Sequence, residues 1–310
     1  MKILVLGASG MLGFAIHRVL HDSGLVAFGT VRTSKPPASS WCCGLDYFTQ
    51  IDISDFAAIE SVIARNRIEI VINATALKTA GNEQQTMALF RVNSVIPKRL
   101  GQLALERDVR LIHFSTDSVY GSTGAPFKET DIPYPGDLYS MSKLLGEPEG
   151  RHSLTLRLSL VGRALNGGSN LVDWFLAQTG QVRGYAGVLF SGLPVSEIAR
   201  VIAKQVLPQL DDLQGVFNLS AAPISKLDLL ALIAKEWNLK HIELVCDDSI
   251  ALDRSIDSIR IAKRIKYTAP AWPQLVHEMR KFYERFEQNG VKNEGDPLQR
   301  MSIRASGDDP

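Results

Sequence analysis

The sequence predicts an α/β fold in which a doubly wound parallel sheet is joined to a smaller C-terminal α/β unit. First, short apolar runs alternate with helical patterns over residues 3–115, in the order β-α-β-α-β-α-β. Second, the nearly continuous apolar, β-branched run at 68–76 is typical of a strand buried on both faces of a parallel sheet. Third, a glycine-rich turn at 7–13 lies directly between the first strand and the first helix. A chain of 310 residues can form one large domain or two modest ones.

The turn after the first strand has the spacing Gly7-x-x-Gly10-x-x-Gly13 of a Rossmann-type dinucleotide-binding loop. Gly7 permits the tight turn, Gly10 lets the backbone approach a pyrophosphate, and Gly13 lets the helix pack on the strand. The helix then presents backbone N–H groups and its positive dipole end to a phosphate. The alternative is a plain βα unit whose small residues serve packing. The predicted cofactor contacts here are Gly7, Ser9, Gly10, Met11, Leu12 and Gly13.

The second predicted strand, at 25–31, ends without the acidic residue that usually binds the adenosine ribose of NAD. Arg32 follows this strand, and its guanidinium can bind a 2′-phosphate. The strand end therefore favours NADP(H) over NAD(H). The alternative is that Arg32 is a solvated loop residue.

A loop ahead of the next helix carries further candidates for cofactor binding. Asp52 lies where such folds bring a loop to the adenine ring, although it can also have a second capping role beside the N-cap predicted at 54–55. We include its neighbour Ile53 among the expected cofactor contacts.

The apolar strand at 68–76 ends in the small residues Asn73, Ala74 and Thr75, at the edge where open α/β sheets hold ligands. We expect these three residues to contact the cofactor. A long helix is predicted at 82–107, and Pro97 should kink or divide it. Asn93 within this helix is a further predicted cofactor contact.

Tyr139 and Lys143 are spaced i, i+4 on a predicted helix, so both project from one face. A lysine ammonium beside a phenol favours the phenolate, and we expect Lys143 to lower the pKa of Tyr139 towards the range useful for acid–base catalysis. Thr116, at the end of the strand predicted at 110–115, could hydrogen-bond an oxygen at the reacting carbon. On its own, a Tyr-x-x-x-Lys pair is more often a surface helix pair.

Composition and charge exclude several other classes of protein. The sequence is 45% hydrophobic and 22% charged with a net charge of +1, which gives no reason to expect a nucleic-acid partner. Three cysteines form neither a disulfide framework nor a zinc-ligand pattern, so we predict no metal ligands. No run approaches the ~18 apolar residues of a membrane span, and the N-terminal run is too short for a signal peptide. We expect a cytoplasmic protein without a membrane partner, and a homodimer stays open.

Four motifs carry a family resemblance: Gly7-Ala-Ser-Gly-Met-Leu-Gly13, Ser115-Thr-Asp-Ser-Val-Tyr-Gly121, Tyr139-Ser-Met-Ser-Lys143 with Leu-Leu-Gly-Glu147, and Thr155-Leu-Arg-Leu-Ser-Leu-Val-Gly-Arg163. With them the chain resembles an extended short-chain dehydrogenase/reductase, and within that group the dTDP-4-dehydrorhamnose reductase branch. Segments at 170–176, 182–185 and 190–194 resemble members of surface-polysaccharide biosynthesis. The resemblance implies that Thr116, Tyr139 and Lys143 form the catalytic set. It also implies that Lys143 binds the nicotinamide ribose.

Two positions depart from the patterns of related proteins. The sugar-nucleotide 4,6-dehydratases follow the catalytic threonine with Asp-Glu, whereas here Asp117 is followed by Ser118, which argues against dehydration. Asp117 could orient substrate or cap the loop. Lys78 replaces an aromatic or apolar residue, and it could contact a substrate phosphate or acetamido group or be a solvated loop residue.

The second half of the chain fits the small substrate domain of the family. We assign residues 1–160 to an NADP-binding Rossmann domain, with parts of 185–207 returning to it, 161–287 mainly to substrate binding, and 288–310 to a disordered tail. A strand is predicted at 216–219, within the substrate unit. The candidates for binding the nucleotide diphosphate and base are Arg163, Asn170, Trp174 and Arg183, although Trp174 can equally be core packing.

The expected function is an NADPH-dependent reduction of a 4-keto-6-deoxy nucleotide sugar. One alternative is an epimerase that retains tightly bound NAD. Another is a non-catalytic NADP-binding regulatory subunit, because some proteins resembling this branch act in that way.

Overall fold

The computed structural model describes residues 1–35, 39–78, 81–121, 124–165 and 170–293. Fourteen strands lie within these ranges, most of them short. In chain order the strands are β1 Lys2–Leu6, β2 Val26–Thr30, β3 Asp46–Phe48, β4 Ile70–Asn73, β5 Arg110–Thr116, β6 Ser153–Leu158, β7 Leu160–Val161, β8 Gly180–Tyr185, β9 Val188–Phe190, β10 Leu193–Pro194, β11 Gly215–Asn218, β12 Ile224–Ser225, β13 Ile242–Asp247 and β14 Leu252–Asp253.

Helices connect and cover these strands. In chain order the α-helices of the described residues are α1 Met11–Asp22, α2 Phe56–Asn66, α3 Glu83–Phe90, α4 Ile96–Glu106, α5 Leu138–Leu145, α6 Leu171–Leu176, α7 Val195–Val201, α8 Lys226–Glu236, α9 Ile259–Ile265 and α10 Trp272–Asn293. Within the described ranges, no helix combines the length and the hydropathy needed to cross a membrane.

Seven strands form one parallel sheet in the order β11-β6-β5-β4-β1-β2-β3. From β1 the chain moves outward through β2 to β3 and then crosses back to β4, so the direction of winding reverses between β1 and β4. In open α/β sheets this reversal leaves a crevice at the carboxyl ends of the two strands. The structure confirms the predicted doubly wound α/β class and places the ligand crevice beside the glycine turn.

The sheet is buried on both faces. Along β1 the side chains of Ile3 and Val5 enter one hydrophobic core, and those of Leu4 and Leu6 enter the other. The first core is covered by α1, α7 and α10, and the second by α2 and α4. This two-sided burial explains why the central strands have continuous apolar runs rather than an alternating pattern.

The predicted helix at 82–107 is divided into two helices just before Pro97, as the position of this proline suggested. A π-helical turn at Arg91–Val95 separates α3 from α4. Pro97 stands in the first turn of α4, directly after the π turn. Because proline cannot donate to the preceding turn, the irregular π turn falls directly before it.

The C-terminal half contributes more to the large sheet than predicted. β11, expected within the substrate unit, pairs in parallel with β6 and forms the edge of the sheet. Helix α7 packs against α1, consistent with the expectation for 185–207. Separate small sheets join β8 to β13, β7 to β10, and β9 to β12 and β14. The chain after residue 160 thus alternates between the large sheet and these small ones.

The final helix runs beyond the predicted end of the ordered chain. α10 continues to Asn293, so the boundary expected at 287 falls inside a helix. Its first part packs against α7 and α8. The rest of the predicted tail, 294–310, lies outside the described residues.

Candidate active site

A cavity of about 830 Å³ opens at the carboxyl ends of β1, β4 and β5. Its walls are the start of α1, the loop after β4, the end of β5 and the face of α5 that carries Tyr139 and Lys143. Many of the predicted site residues meet here. Those that line the cavity are Gly10, Met11, Leu12, Ala74, Thr75, Lys78, Thr116, Asp117, Tyr139 and Lys143.

The glycine turn forms the cofactor end of this cleft. Gly7 has a φ of +78°, in the left-handed region that favours glycine, and the Gly10 N–H donates to the Gly7 carbonyl oxygen at 2.9 Å. A Cβ on Gly13 would overlap the Gly7 carbonyl, which explains the third glycine. Ser9 lies exposed in the turn but does not line the cavity.

The start of α1 suits an anionic ligand. Its N-cap is Gly10, which has no side chain to accept from the first N–H groups, and the first turn carries no acidic residue. These N–H groups and the helix dipole therefore face the cleft without a side-chain acceptor or a repelling carboxylate. The turn fits a dinucleotide phosphate, as the sequence predicted.

Asp52 and Arg32 lie near each other beyond the end of β2, outside the cavity lining. Hydrogen bonds donated by the hydroxyl and the backbone N–H of Ser54 (2.5 and 2.8 Å) lower the pKa of Asp52, and Arg32 adds to this effect. Asp55, not Asp52, caps α2 by accepting from the Ala58 N–H at 3.0 Å. Ile53 packs partly buried against the second core. Arg32 is exposed, so its guanidinium is available to a ligand phosphate.

Two asparagines predicted to contact the cofactor are instead fully buried and do not line the cavity. Asn93 accepts from the Leu77 N–H at 2.9 Å and donates to the Leu77 carbonyl and to the Ser142 hydroxyl. The Asn73 side chain is likewise occupied within the protein, by Thr75 and by a histidine of β5. Both amides are used to position loops and helices, which corrects the expectation of direct contact.

The predicted catalytic residues converge on the cleft. Asp137 caps α5 by accepting from the Ser140 N–H at 2.7 Å, and the Ser140 side chain completes a capping box. Helix α5 then presents Tyr139 and Lys143 to the cavity, opposite Thr116 at the end of β5. The Thr116 hydroxyl donates to Asp117 and accepts from the Ser118 N–H, both at 3.2 Å.

The electrostatics of this set differ from the expectation. Burial raises the pKa of Tyr139 to about 12, and the carboxylates of Asp117 and Asp137 act in the same direction, against a hydrogen bond with Thr116. Burial lowers the pKa of Lys143 to about 8, against the attraction of Glu147. The expected lowering of the Tyr139 pKa by Lys143 is not found in this cleft, because desolvation penalises the phenolate and Lys143 is not among the groups that shift this pKa. Tyr139 is a protonated acid at neutral pH.

A buried polar network behind α5 was not assigned a role from the sequence. Glu147 accepts from Arg157 through both carboxylate oxygens (2.8 and 2.7 Å) and from the Ser115 hydroxyl at 2.7 Å. Arg157 also donates to the Tyr120 hydroxyl at 2.8 Å. The network ties the end of α5 to β5 and β6. Its partners are far apart in sequence, so only the i, i+4 spacing of Glu147 from Lys143 could have drawn attention to it.

Two cations of the C-terminal half, Arg254 and Lys226, act electrostatically on Asp117 of the cleft. Burial raises the pKa of Asp117, and the charge of Arg254 opposes this shift. Lys226, in the first turn of α8, interacts electrostatically with both. Lys78 lines the cleft and is exposed there.

The four residues predicted to bind the nucleotide do not line the cavity. Arg163 is held by Asp173, at 2.8 Å, and by Glu287, and Asn170 caps α6 by accepting from the Asp173 N–H at 3.1 Å. Both side chains are thus committed to packing α6. Trp174 is 40% exposed, so it is not the core residue of its helix, and the Arg183 side chain is 80% exposed.

Comparison with known sequences identifies the family. The model of the RmlD substrate binding domain matches residues 1–256, and the chain therefore belongs to this family. The result confirms the resemblance noted from the motifs.

Among the described residues, no cluster of three or more His, Cys, Asp or Glu residues could hold a metal ion.

Relatives match over about half of their own length. A probable low-salt glycan biosynthesis reductase of Haloferax volcanii is 33% identical over 180 residues, 56% of this chain and 58% of the relative. A dTDP-4-dehydrorhamnose reductase of Salmonella typhimurium is 28% identical over 151 residues, 47% of this chain and 46% of the relative. The methionine adenosyltransferase 2 subunit beta of Pongo abelii is 29% identical over 148 residues, 47% of this chain and 41% of the relative.

Solved structures share the fold at low identity. A hypothetical dTDP-4-dehydrorhamnose reductase from Sulfolobus tokodaii superposes with a TM-score of 0.68 at 24% identity, covering 88% of this chain and 98% of the other. A dTDP-4-dehydrorhamnose reductase of Bacillus anthracis in complex with NADP has a TM-score of 0.69 at 17% identity, with 90% and 98% covered. A dTDP-glucose 4,6-dehydratase of the same organism in complex with NAD has a TM-score of 0.71 at 18% identity, with 93% and 98% covered.

The start of α1 yields a direct prediction about cofactor binding. Gly10→Asp places a carboxylate at the N-cap, where it accepts from the first N–H groups and repels a phosphate. We expect NADPH and NADH to bind at least about tenfold more weakly, measured by isothermal titration calorimetry. Unfolding in urea should show undiminished stability, because aspartate is a favourable N-cap. Unchanged dinucleotide binding in this folded variant would contradict the assignment of the turn.

Proposed function

We propose that the protein is a nicotinamide-dependent reductase of a 4-keto-6-deoxy nucleotide sugar, acting in deoxysugar or surface-polysaccharide synthesis. The observation that carries the proposal is the convergence of Thr116, Tyr139 and Lys143 on the cleft that also contains the glycine turn. The dinucleotide, when bound, supplies the hydride for the ketone carbon. The relatives that are reductases of glycan or rhamnose synthesis support this reaction class.

The protonation states of the free protein suit reduction. As the ketone becomes an alcohol, its oxygen needs one proton, and Tyr139 carries one because burial keeps the phenol protonated. The Thr116 hydroxyl can donate a hydrogen bond to the same oxygen from the end of β5. The ammonium of Lys143 stabilises the phenolate that forms, and it is still charged at neutral pH because its pKa is about 8.

Ser118 and the cations of the cleft support the choice of reaction and substrate. Ser118 stands where related dehydratases carry a glutamate, so a second acid–base group for eliminating a hydroxyl is not supplied at that position. Lys78 lines the cleft, and Arg254 and Lys226 act on Asp117 of that lining, so these three residues would offer positive charge to an anionic substrate such as a nucleotide diphosphate sugar.

A regulatory role is the second candidate, and the similarity to a methionine adenosyltransferase 2 subunit beta favours it. Such a subunit would bind NADP without using Tyr139. The assembled Thr116–Tyr139–Lys143 set argues for catalysis instead. An epimerase that keeps its NAD is distinguished by purifying with bound cofactor and needing no added NADPH.

Replacing the acid tests the proposed chemistry. Tyr139→Phe removes the proton donor but leaves the ring, so we expect turnover of NADPH with a 4-keto nucleotide sugar to fall about 100-fold or more while NADPH binding is nearly unchanged. Tyr134→Phe is the matched control, because Tyr134 is 77% exposed, and it should keep full activity. Equal turnover in Tyr139→Phe and the native protein would contradict the catalytic role of Tyr139.

The choice of cofactor depends in this proposal on Arg32. Arg32→Gln should weaken NADPH binding by about tenfold, because a charge-assisted contact with the 2′-phosphate is lost, and should leave NADH binding unchanged. Arg65→Gln, at an exposed arginine of α2, is the control. Fluorescence titration with each dinucleotide measures both affinities. Loss of NADH and NADPH affinity in equal measure would count against a role in phosphate recognition.

A further inference from the structure

A fully buried asparagine of the C-terminal half binds the chain that connects β5 to α5. Asn218 ends β11, the edge strand of the large sheet. Its Oδ1 accepts from the Tyr120 hydroxyl at 3.2 Å, and its Nδ2 donates to the Phe127 carbonyl oxygen at 3.0 Å. Its backbone N–H donates to the Glu129 carboxylate at 2.9 Å. All three partners lie between the end of β5 and the start of α5.

The direction of the side-chain hydrogen bonds is fixed by an arginine. The Arg157 guanidinium can only donate, and it donates to the Tyr120 hydroxyl oxygen at 2.8 Å. The Tyr120 proton therefore goes to Asn218 Oδ1, and the amide nitrogen of Asn218 faces the Phe127 carbonyl, which can only accept. The chain of bonds begins at a cation and ends at a backbone carbonyl, so it orients groups and transfers no proton.

The Phe127 end of this chain is held by a second segment of the C-terminal half. The Phe127 N–H donates to the Ser255 carbonyl oxygen at 3.0 Å, and the Phe127 carbonyl also accepts from the Asp257 N–H at 2.7 Å. The rings of Tyr120 and Phe127 stack in parallel, with their centroids 5.0 Å apart. Because these contacts fix Phe127, the Asn218 amide has a fixed partner on one side while it holds Tyr120 on the other.

Tyr120 in turn closes the short helical turn that follows Thr116. Its N–H donates to the Asp117 carbonyl oxygen at 3.1 Å, at the end of the turn Asp117–Val119. Within this turn the Ser118 N–H donates to the Thr116 hydroxyl, and that hydroxyl donates to the Asp117 carboxylate, both at 3.2 Å. Thr116 and Asp117 line the cleft, so the position of Tyr120 bears on how their side chains are presented there.

We propose that Asn218 is a positioning residue: through Tyr120 it holds the turn after β5 and so fixes the direction of the Thr116 hydroxyl in the cleft. Asn218 does not itself line the cleft. Its effect on turnover rests on the proposed function, whereas its effect on the turn does not. Small displacements of a group at the reacting atoms can lower a rate by about 100-fold, so turnover should be sensitive to this turn.

Two variants at position 218 separate hydrogen bonding from packing. Asn218→Leu nearly keeps the side-chain volume but leaves the buried Tyr120 hydroxyl without its acceptor, so the turn should open more often. Asn218→His can accept from Tyr120 at one ring nitrogen and donate to Phe127 from the other, so it should restore the native behaviour. Phe217→Leu is the matched control, because Phe217 precedes Asn218 on β11 and packs into the core on the other face of the sheet.

Amide hydrogen exchange of the full chain, followed by NMR, tests the effect on the turn without a substrate. In Asn218→Leu the Tyr120 N–H should exchange about tenfold faster or more, relative to the Leu4 N–H of β1 as the reference for global unfolding. Asn218→His and Phe217→Leu should keep the native ratio. An unchanged ratio in folded Asn218→Leu would overturn the proposal. So would nuclear Overhauser effects in the native protein that place the Asn218 amide protons beside the Tyr120 hydroxyl instead of Phe127, even if Asn218→Leu does not fold.

Kinetics test the consequence for turnover. With a 4-keto nucleotide sugar, Asn218→Leu should lower kcat about tenfold or more and keep the Kd of NADPH within about twofold, because the affected turn is not the glycine turn. Asn218→His should recover kcat, and a kcat in Asn218→Leu equal to that of Phe217→Leu would contradict the role in turnover. If the exchange rates change as expected but the native protein reduces no ketosugar, the proposed function fails and the role of Asn218 in the turn stands.

Discussion

The candidate site depends on the burial of Tyr139 and Lys143, two residues of α5 that face the carboxyl end of β5. It acts in opposite directions on the two residues of α5, raising the pKa of Tyr139 to about 12 and lowering that of Lys143 to about 8. The result is a neutral acid beside an ammonium that gives up its proton easily. This pairing suits a reaction that consumes a proton at the substrate oxygen.

A buried polar network beneath α5 supports this arrangement. The Arg157–Glu147 pair is buried and bidentate, and Ser115 and Tyr120 satisfy further positions on it. Removing one partner of a buried pair typically costs about 3–5 kcal/mol, so this network also holds α5 to the sheet. Asn93 adds a second attachment by joining the loop after β4 to Ser142. The cleft walls are therefore positioned largely by side chains outside the lining, namely Arg157, Glu147, Tyr120 and Asn93.

Local patterns were sufficient for the parallel sheet, the glycine turn and the Tyr139–Lys143 spacing, because each depends on residues close together in the chain. Contacts between residues far apart in the chain could not be predicted from the sequence. Asn93 looked like a ligand contact, but its amide bonds to Ser142 on another helix. Arg163 looked like a phosphate ligand, but it is bound to Asp173 and to Glu287 of the last helix. The predicted direction of the Tyr139 pKa shift was also not found, because the burial that sets it depends on the whole fold. The edge strand β11 was predicted as a strand, but its sheet was not predicted.

The most direct measurement of the central claim follows the hydride itself. The protein is incubated with NADPH carrying deuterium at the nicotinamide C4 and with dTDP- and UDP-linked 4-keto-6-deoxy sugars, and the products are examined by mass spectrometry and NMR. The account predicts that one of these sugars is reduced with one equivalent of NADPH oxidised and with deuterium at C4 of the product. Conversion of the sugar without net oxidation of NADPH, or deuterium at another carbon, would contradict it.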